Sequence, residues 1–166
     1  TAQQLYEGID IGNGSEGLIT YMRTDSVNLA TEAVTEIREF IGERYGATNV
    51  PVKLPEYKTR SKNAQEAHEA VRPTDAKRIP AEIQSFLTED QYKLYDLIWK
   101  RTVASQMIHA TIDTVAVDLN CSDVGMFRAN GSTVKHPGFM AVYREGTDDE
   151  PETDEKMLPT REQGQV

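Results

Sequence analysis

Residues 17–26 read Gly17-Leu18-Ile19-Thr20-Tyr21-Met22-Arg23-Thr24-Asp25-Ser26. Residues 17–24 are rich in β-formers and follow the turn-like Asp10-Ile11-Gly12-Asn13-Gly14-Ser15-Glu16, so a short strand is predicted there. The period then changes. Val27, Ala30, Ala33, Val34, Ile37, Phe40, Ile41 and Tyr45 recur at helical spacing, with Ser26 or Asn28 as a cap and Gly46 as the terminator. A strand carrying Tyr21 thus feeds directly into a helix that buries one face.

Downstream, Pro51, Pro55 and scattered basic residues predict an extended connection over residues 48–62. Asn63 with Glu66 three residues later opens a short helix, which Pro73 ends by disfavouring helical geometry at Arg72. Pro80 suits the first turn of another short helix. Thr88-Glu89-Asp90-Gln91 is a capping box before a long helix whose buried face is Leu94, Tyr95, Ile98, Trp99 and Val103. Beyond Thr111, Val115, Val117 and Leu119 alternate with polar or small residues, and Gly125, Gly131 and Gly138 punctuate short segments at hairpin spacing. The expectation is an α+β chain. Residues 1–107 form a mainly helical domain with a short strand bearing the tyrosine, and residues 108–166 a small antiparallel β region with an acidic loop over 145–155. Met157-Leu158-Pro159 is where structure resumes.

The chain has 166 residues, and a hydrophobic fraction of 38% concentrated in periodic segments is compatible with a folded body and a polar tail. A single cysteine, Cys121, excludes an internal disulfide, and no apolar run is long enough to span a membrane, which fits a cytoplasmic location. Residues 1–6 resemble a helix already under way rather than a signal peptide, as expected of a chain that begins inside a larger protein. A net charge of -9 argues at first against nucleic acid. Its distribution weakens that objection: Glu145, Asp148, Asp149, Glu150, Glu152, Asp154 and Glu155 crowd one stretch, while Lys53, Lys58, Arg60 and Lys62 form a basic patch offset only by Glu56.

On a strand, Tyr21 and Arg23 would point to one side about 6.6 Å apart, a spacing that can hold a phosphate between them. A tyrosine hydroxyl can act as nucleophile or leaving group in phosphoryl transfer, and an arginine fork can hold the non-bridging oxygens. Most tyrosines on strands are packing residues, so the pair alone decides little. On the predicted short helix Gln65, His68 and Arg72 share a face, an arrangement suited to phosphate binding and proton transfer, or simply to a solvated polar surface. His68 and Glu69 belong to no recognised metal-ligand spacing, so no metal is expected to bind here.

Taken together, residues 17–26 followed at this distance by Asn63-Ala64-Gln65-Glu66-Ala67-His68-Glu69-Ala70-Val71-Arg72-Pro73 closely resemble the bacterial type IA DNA topoisomerases. The resemblance continues through residues 94–107 and more loosely past Asp123. It implies that Tyr21 attacks a phosphodiester of single-stranded DNA, leaving a 5'-phosphotyrosine and a free 3'-hydroxyl that later reverses the step. Arg23 matches the arginine contacting the scissile region, and His68 the histidine that positions phosphate or relays a proton. Arg72, Lys62 and Arg60 would add phosphate contacts, and Asp25 and Glu69 would support the same motifs. The resemblance places Mg2+ and further catalytic residues in a separate toprim domain. This chain shows no Asp-x-Asp-x-Asp cluster, so it is expected to be inactive alone, to carry no cofactor of its own, and to work with the rest of the same polypeptide on nucleoid DNA.

Two other readings stay open from the residues. In a noncatalytic single-stranded nucleic-acid-binding module, Lys53, Lys58, Arg60, Lys62 and Arg72 would bind phosphates while Tyr21 stacks on a base. A protein-interaction domain would have no role with DNA at all.

Overall fold

Thr88 closes the N-terminus of the longest helix as expected. Its hydroxyl accepts from the Gln91 N–H at 3.3 Å, and the Gln91 side chain accepts from the Thr88 N–H at 2.9 Å. The computed structural model describes residues 1–12, 14–22, 25–57, 69–120 and 125–145. Its elements are α1 (Ala2–Glu7), β1 (Ile9–Asp10), β2 (Ser15–Glu16), α2 (Thr31–Tyr45), α3 (Pro80–Ile83), α4 (Glu89–Ser105), β3 (Thr111–Asn120) and β4 (Met126–His136). Helices with small antiparallel sheets make the fold α+β. The chain divides into two compact units, Thr1–Ile108 and His109–Val166.

In the first unit, α4 buries Tyr95, Trp99 and Val103, with Leu94 and Ile98 at the half-buried margin of the stripe. Both polar aromatics find partners on the loop before α3, which removes the penalty of burying an unpaired donor. The Trp99 indole N–H donates to the Ala76 carbonyl at 2.9 Å, and the Tyr95 hydroxyl donates to the Arg78 carbonyl at 2.8 Å. Burial pushes the Tyr95 phenol far up, so it remains a neutral donor. From α2, Phe40 meets the Trp99 ring edge-on with centroids 5.8 Å apart. Pro80 sits in the first turn of α3, where its missing N–H costs nothing.

Helix α2 begins at Thr31, later than Ser26 or Asn28 would have started it. Ser26 is used otherwise, its hydroxyl accepting from the Asn28 N–H at 3.2 Å in a local turn. Val27 is consequently exposed instead of joining Ala33, Ile37, Phe40 and Ile41 in the core. Gly46 ends the helix with φ 92, a backbone region that side chains disfavour.

The strand expected over residues 17–24 is, among the described residues, a single antiparallel bridge between Ile19 and Pro73. The Thr20 N–H donates to Arg72 O at 2.8 Å, and the Thr74 N–H donates to Leu18 O at 3.0 Å. Ile19 and Pro73 therefore face each other at a position where the ladder asks for no N–H, so proline is tolerated there. On the other side, the N–H groups of Leu18 and Ile19 both donate to the Leu5 carbonyl at the end of α1, at 2.7 and 3.4 Å. Leu5, Leu18 and Ile19 are wholly buried.

The described part of the second unit is an antiparallel pair of strands, β3 with β4, followed by one short helical turn at Gly138–Ala141; Val115 faces Gly131, Val117 faces Ala129 and Leu119 faces Phe127. Gly131 thus lies inside a long strand instead of separating two short ones. One face is apolar, and the other carries the Asp118–Arg128 ion pair at 2.6 Å. Val115, Leu119 and Phe127 remain exposed. Residues 146–166, including most of the acidic run and the segment 157–159, lie outside the described residues.

A Cβ on Gly17 would stand 2.7 Å from the Tyr6 carbonyl oxygen, an approach only glycine allows. Gly17→Ala should therefore lower stability by about 1–3 kcal/mol in urea unfolding. The hairpin alone, as a peptide of residues 109–145, should give little strand signal by circular dichroism, because two strands without a covered apolar face are marginal in water.

Candidate active site

Tyr21 follows the Ile19 bridge directly, in non-helical, non-strand backbone. Its ring is 55% exposed, yet it is not free to swing. Tyr6 of α1 meets it edge-to-face, with centroids 5.4 Å apart and planes at 76°. The hydroxyl-bearing ring is thus offered to solvent while its base is held.

Backbone bonds hold both ends of the loop that carries it. Before Tyr21, Thr20 pairs with Arg72: besides the 2.8 Å backbone bond, the Thr20 hydroxyl accepts from the Arg72 N–H at 3.0 Å. After Tyr21, the Ala70 N–H donates to the Asn28 carbonyl at 2.7 Å, and the Ala30 N–H donates to Glu69 Oε1 at 3.0 Å. The segment 69–74 therefore spans the loop and grips it on both sides. Glu69 also gives the N-cap N–H of Ala30 the acceptor that the third helical residue supplies in a capping box and that Ala33, lacking a polar side chain, cannot provide.

Arg72 lies inside this clasp. Its Nε bonds to Glu69 Oε1 at 2.6 Å, one Nη donates to the Pro73 carbonyl at 3.0 Å, and its side chain is only 17% exposed. Residues 69–72 are non-helical, so Arg72 does not continue a helix from residue 63. Pro73 disfavours that geometry, and the peptide groups of Ala70 and Arg72 are spent on the Tyr21 loop. Partial burial pushes the Glu69 carboxyl up, but hydrogen bonds from Arg72 and Ala30 and the guanidinium charge outweigh it and hold the group below its usual range.

Arg23, His68, Arg60 and Lys62 lie outside the described residues, as do Lys58 and the stretch 63–68. Of the other residues singled out in the sequence, Asp25 is half-buried and Lys53 is exposed. Among the described residues no group of three or more His, Cys, Asp or Glu side chains is gathered as a metal ion requires, and no helix is long and apolar enough to cross a membrane. Thr20 and Tyr6, whose contacts position Tyr21, were not distinguishable in the sequence. Their partners are remote in the chain, and neither residue type signals such a role.

Comparison with known proteins bears on what this loop is for. The profile of a family described as DNA topoisomerase matches residues 1–166. The chain belongs to the bacterial type IA DNA topoisomerases. It is 52% identical to DNA topoisomerase 1 of Xylella fastidiosa (strain Temecula1) over 99% of its own length and 21% of that protein's. It is likewise 52% identical to DNA topoisomerase 1 of Rickettsia bellii, over 95% of this chain and 20% of the relative. Full-length topoisomerase I from Thermotoga maritima superposes with a TM-score of 0.71 at 35% identity, covering 90% of this chain and 24% of that structure. The chain thus spans about a fifth of the length of the topoisomerases it matches.

Within this type IA chain the Glu69 clasp has a testable acid response. A carboxyl held low in the folded state stabilises above its unfolded pKa, and that contribution is lost as pH falls through the folded value. Wild type should therefore exceed Glu69→Gln in urea midpoint at neutral pH, and the gap should close in strong acid, where Glu69 is protonated.

Proposed function

We propose that this chain is the tyrosine-bearing part of a topoisomerase that cuts and rejoins one DNA strand through Tyr21. The observation that carries the reading is the exposed Tyr21 ring, braced by Tyr6 and mounted on a loop gripped at both ends. Tyr21 Oη attacks a backbone phosphorus of single-stranded DNA. The Oη–P bond forms as the P–O3' bond breaks, the phenolic proton is given up, and the leaving 3'-oxygen is protonated. A 5'-phosphotyrosine results. Reversal rejoins the strand, so one phosphodiester replaces another of comparable energy, and strain in negatively supercoiled DNA drives the net relaxation.

At neutral pH a phenol is a weak nucleophile, so attack needs charge stabilisation and a proton acceptor. Arg23, two residues from Tyr21, is assigned to the non-bridging oxygens, and His68, next to the clasp residue Glu69, to phosphate positioning or proton relay. Arg60, Lys62 and Arg72 are assigned to flanking phosphates. Arg72 can do so while keeping its bonds to Glu69 and Pro73, which engage its Nε and one of its two Nη groups. Magnesium and the remaining catalytic groups are assigned to a toprim domain elsewhere in the polypeptide, and the chain alone should be inactive. Single-stranded DNA and that domain are its partners.

The test mixes this chain with single-stranded DNA and magnesium, with and without the toprim-containing part of a relative, and resolves adducts on a denaturing gel. A covalent adduct should form only in the mixture and vanish with Tyr21→Phe. If the two parts associate yet yield no adduct, a noncatalytic binding module is the better reading; an adduct from the chain alone would place the full catalytic set within these residues.

A further inference from the structure

The chain is anchored on either side of Tyr21, at Thr20 and at Asn28 and Ala30, by bonds of different kinds. Its upstream anchor is backbone pairing, reinforced by the Thr20 hydroxyl. Its downstream anchor is one backbone bond, from Ala70 to Asn28, and one side-chain carboxylate. That carboxylate belongs to Glu69, and the same oxygen that receives the Ala30 N–H also receives Arg72 Nε. Arg72 is the residue whose backbone grips Thr20. One oxygen atom therefore connects the two anchors.

We infer that Glu69 is a positioning residue for strand cleavage, its carboxylate joining the start of α2 to Arg72 so that the Tyr21 loop is fixed at both ends. The inference rests on Tyr21 being the nucleophile. The bonds of the Glu69 carboxylate run to Arg72 and Ala30, so it acts through these residues. Both links suit a carboxylate. Its negative charge is favoured at the exposed N–H groups that begin a helix, and its bond to the guanidinium is charge-assisted. Tying down both ends of a short loop removes much of its conformational freedom before substrate arrives, so a larger fraction of bound complexes places Oη in line with phosphorus.

Loss of the carboxylate should leave the DNA-binding surface intact and widen the range of positions open to Tyr21. The expected effect is on the rate of the covalent step and not on affinity. Glutamine retains an oxygen for the Ala30 N–H but not the charge that holds Arg72, and alanine retains neither. Glu69→Gln should therefore restore part of what Glu69→Ala loses.

The experiment uses a complete topoisomerase carrying this chain, well below its unfolding temperature. It measures the single-turnover rate of adduct formation at saturating single-stranded DNA, and separately the DNA dissociation constant. Glu69→Ala should slow adduct formation by about 10-fold to 100-fold, with dissociation constant unchanged and Glu69→Gln in between. An unchanged rate in Glu69→Ala, or rate and affinity falling together, would overturn the inference, as would a Gln variant no faster than Ala. Tyr21→Phe serves as the control: an adduct that survived it would remove the nucleophile assignment itself, whereas its loss alongside a normal Glu69→Ala rate would remove only the role given to Glu69.

Discussion

The crossing of residues 18–20 over residues 72–74 is the constraint on which the first unit's arrangement depends. Two backbone bonds flank the buried Ile19–Pro73 pair, and on the opposite side of the same segment the Leu5 carbonyl of α1 accepts from the N–H groups of Leu18 and Ile19. Three stretches remote in sequence are thereby brought to one line. Nothing about this crossing can slide freely, because Leu5, Leu18, Ile19 and Pro73 are all fully buried and a shift in register would expose apolar groups to water. The tyrosine loop departs from a point that the core itself fixes.

That rigidity reaches the crossing from α4. Trp99 and Tyr95 hold the loop at residues 76–78 by hydrogen bonds to its carbonyls, and the loop follows directly on the segment that grips Tyr21. Arg78 in turn pairs with Glu16 of β2, which leads into Gly17 and the crossing. The helical core therefore acts as a mount for an irregular loop. Such a loop alone would lose much of its ordering to entropy, and a rigid support allows an exposed side chain to keep a defined direction.

The second unit has a different physical character. Its long hairpin has good cross-strand geometry, including the bidentate Arg128–Asp118 pair, but an apolar face still exposed to solvent. Hydrogen bonds between two strands offset little of the conformational entropy they cost, so apolar cover is what such a hairpin needs for stability. Among the described residues, the first unit thus has a buried apolar core, whereas the paired strands of the second leave Val115, Leu119 and Phe127 exposed.

Several features were legible in the sequence because they depend on neighbours in the chain. The Thr88 box, the start at Pro80, the stop at Gly46 and the α4 face built on Tyr95, Trp99 and Val103 follow from local hydrogen bonding and helical period. The paired motifs around Tyr21 and His68 likewise pointed to the topoisomerase family. Tertiary structure decided what involves partners far apart. It replaced the predicted strand by one bridge, because the N–H groups that would extend the ladder are used elsewhere, that of Arg72 on the Thr20 hydroxyl and that of Leu18 on the Leu5 carbonyl. It also moved the start of α2 to Thr31, since the acceptor for the Ala30 N–H comes from Glu69, thirty-nine residues away. The sequence by itself determined which residues could do chemistry and which segments could be helical; only folding decided how Tyr21 is held, because the groups that hold it are ordinary residues made specific by where the chain returns.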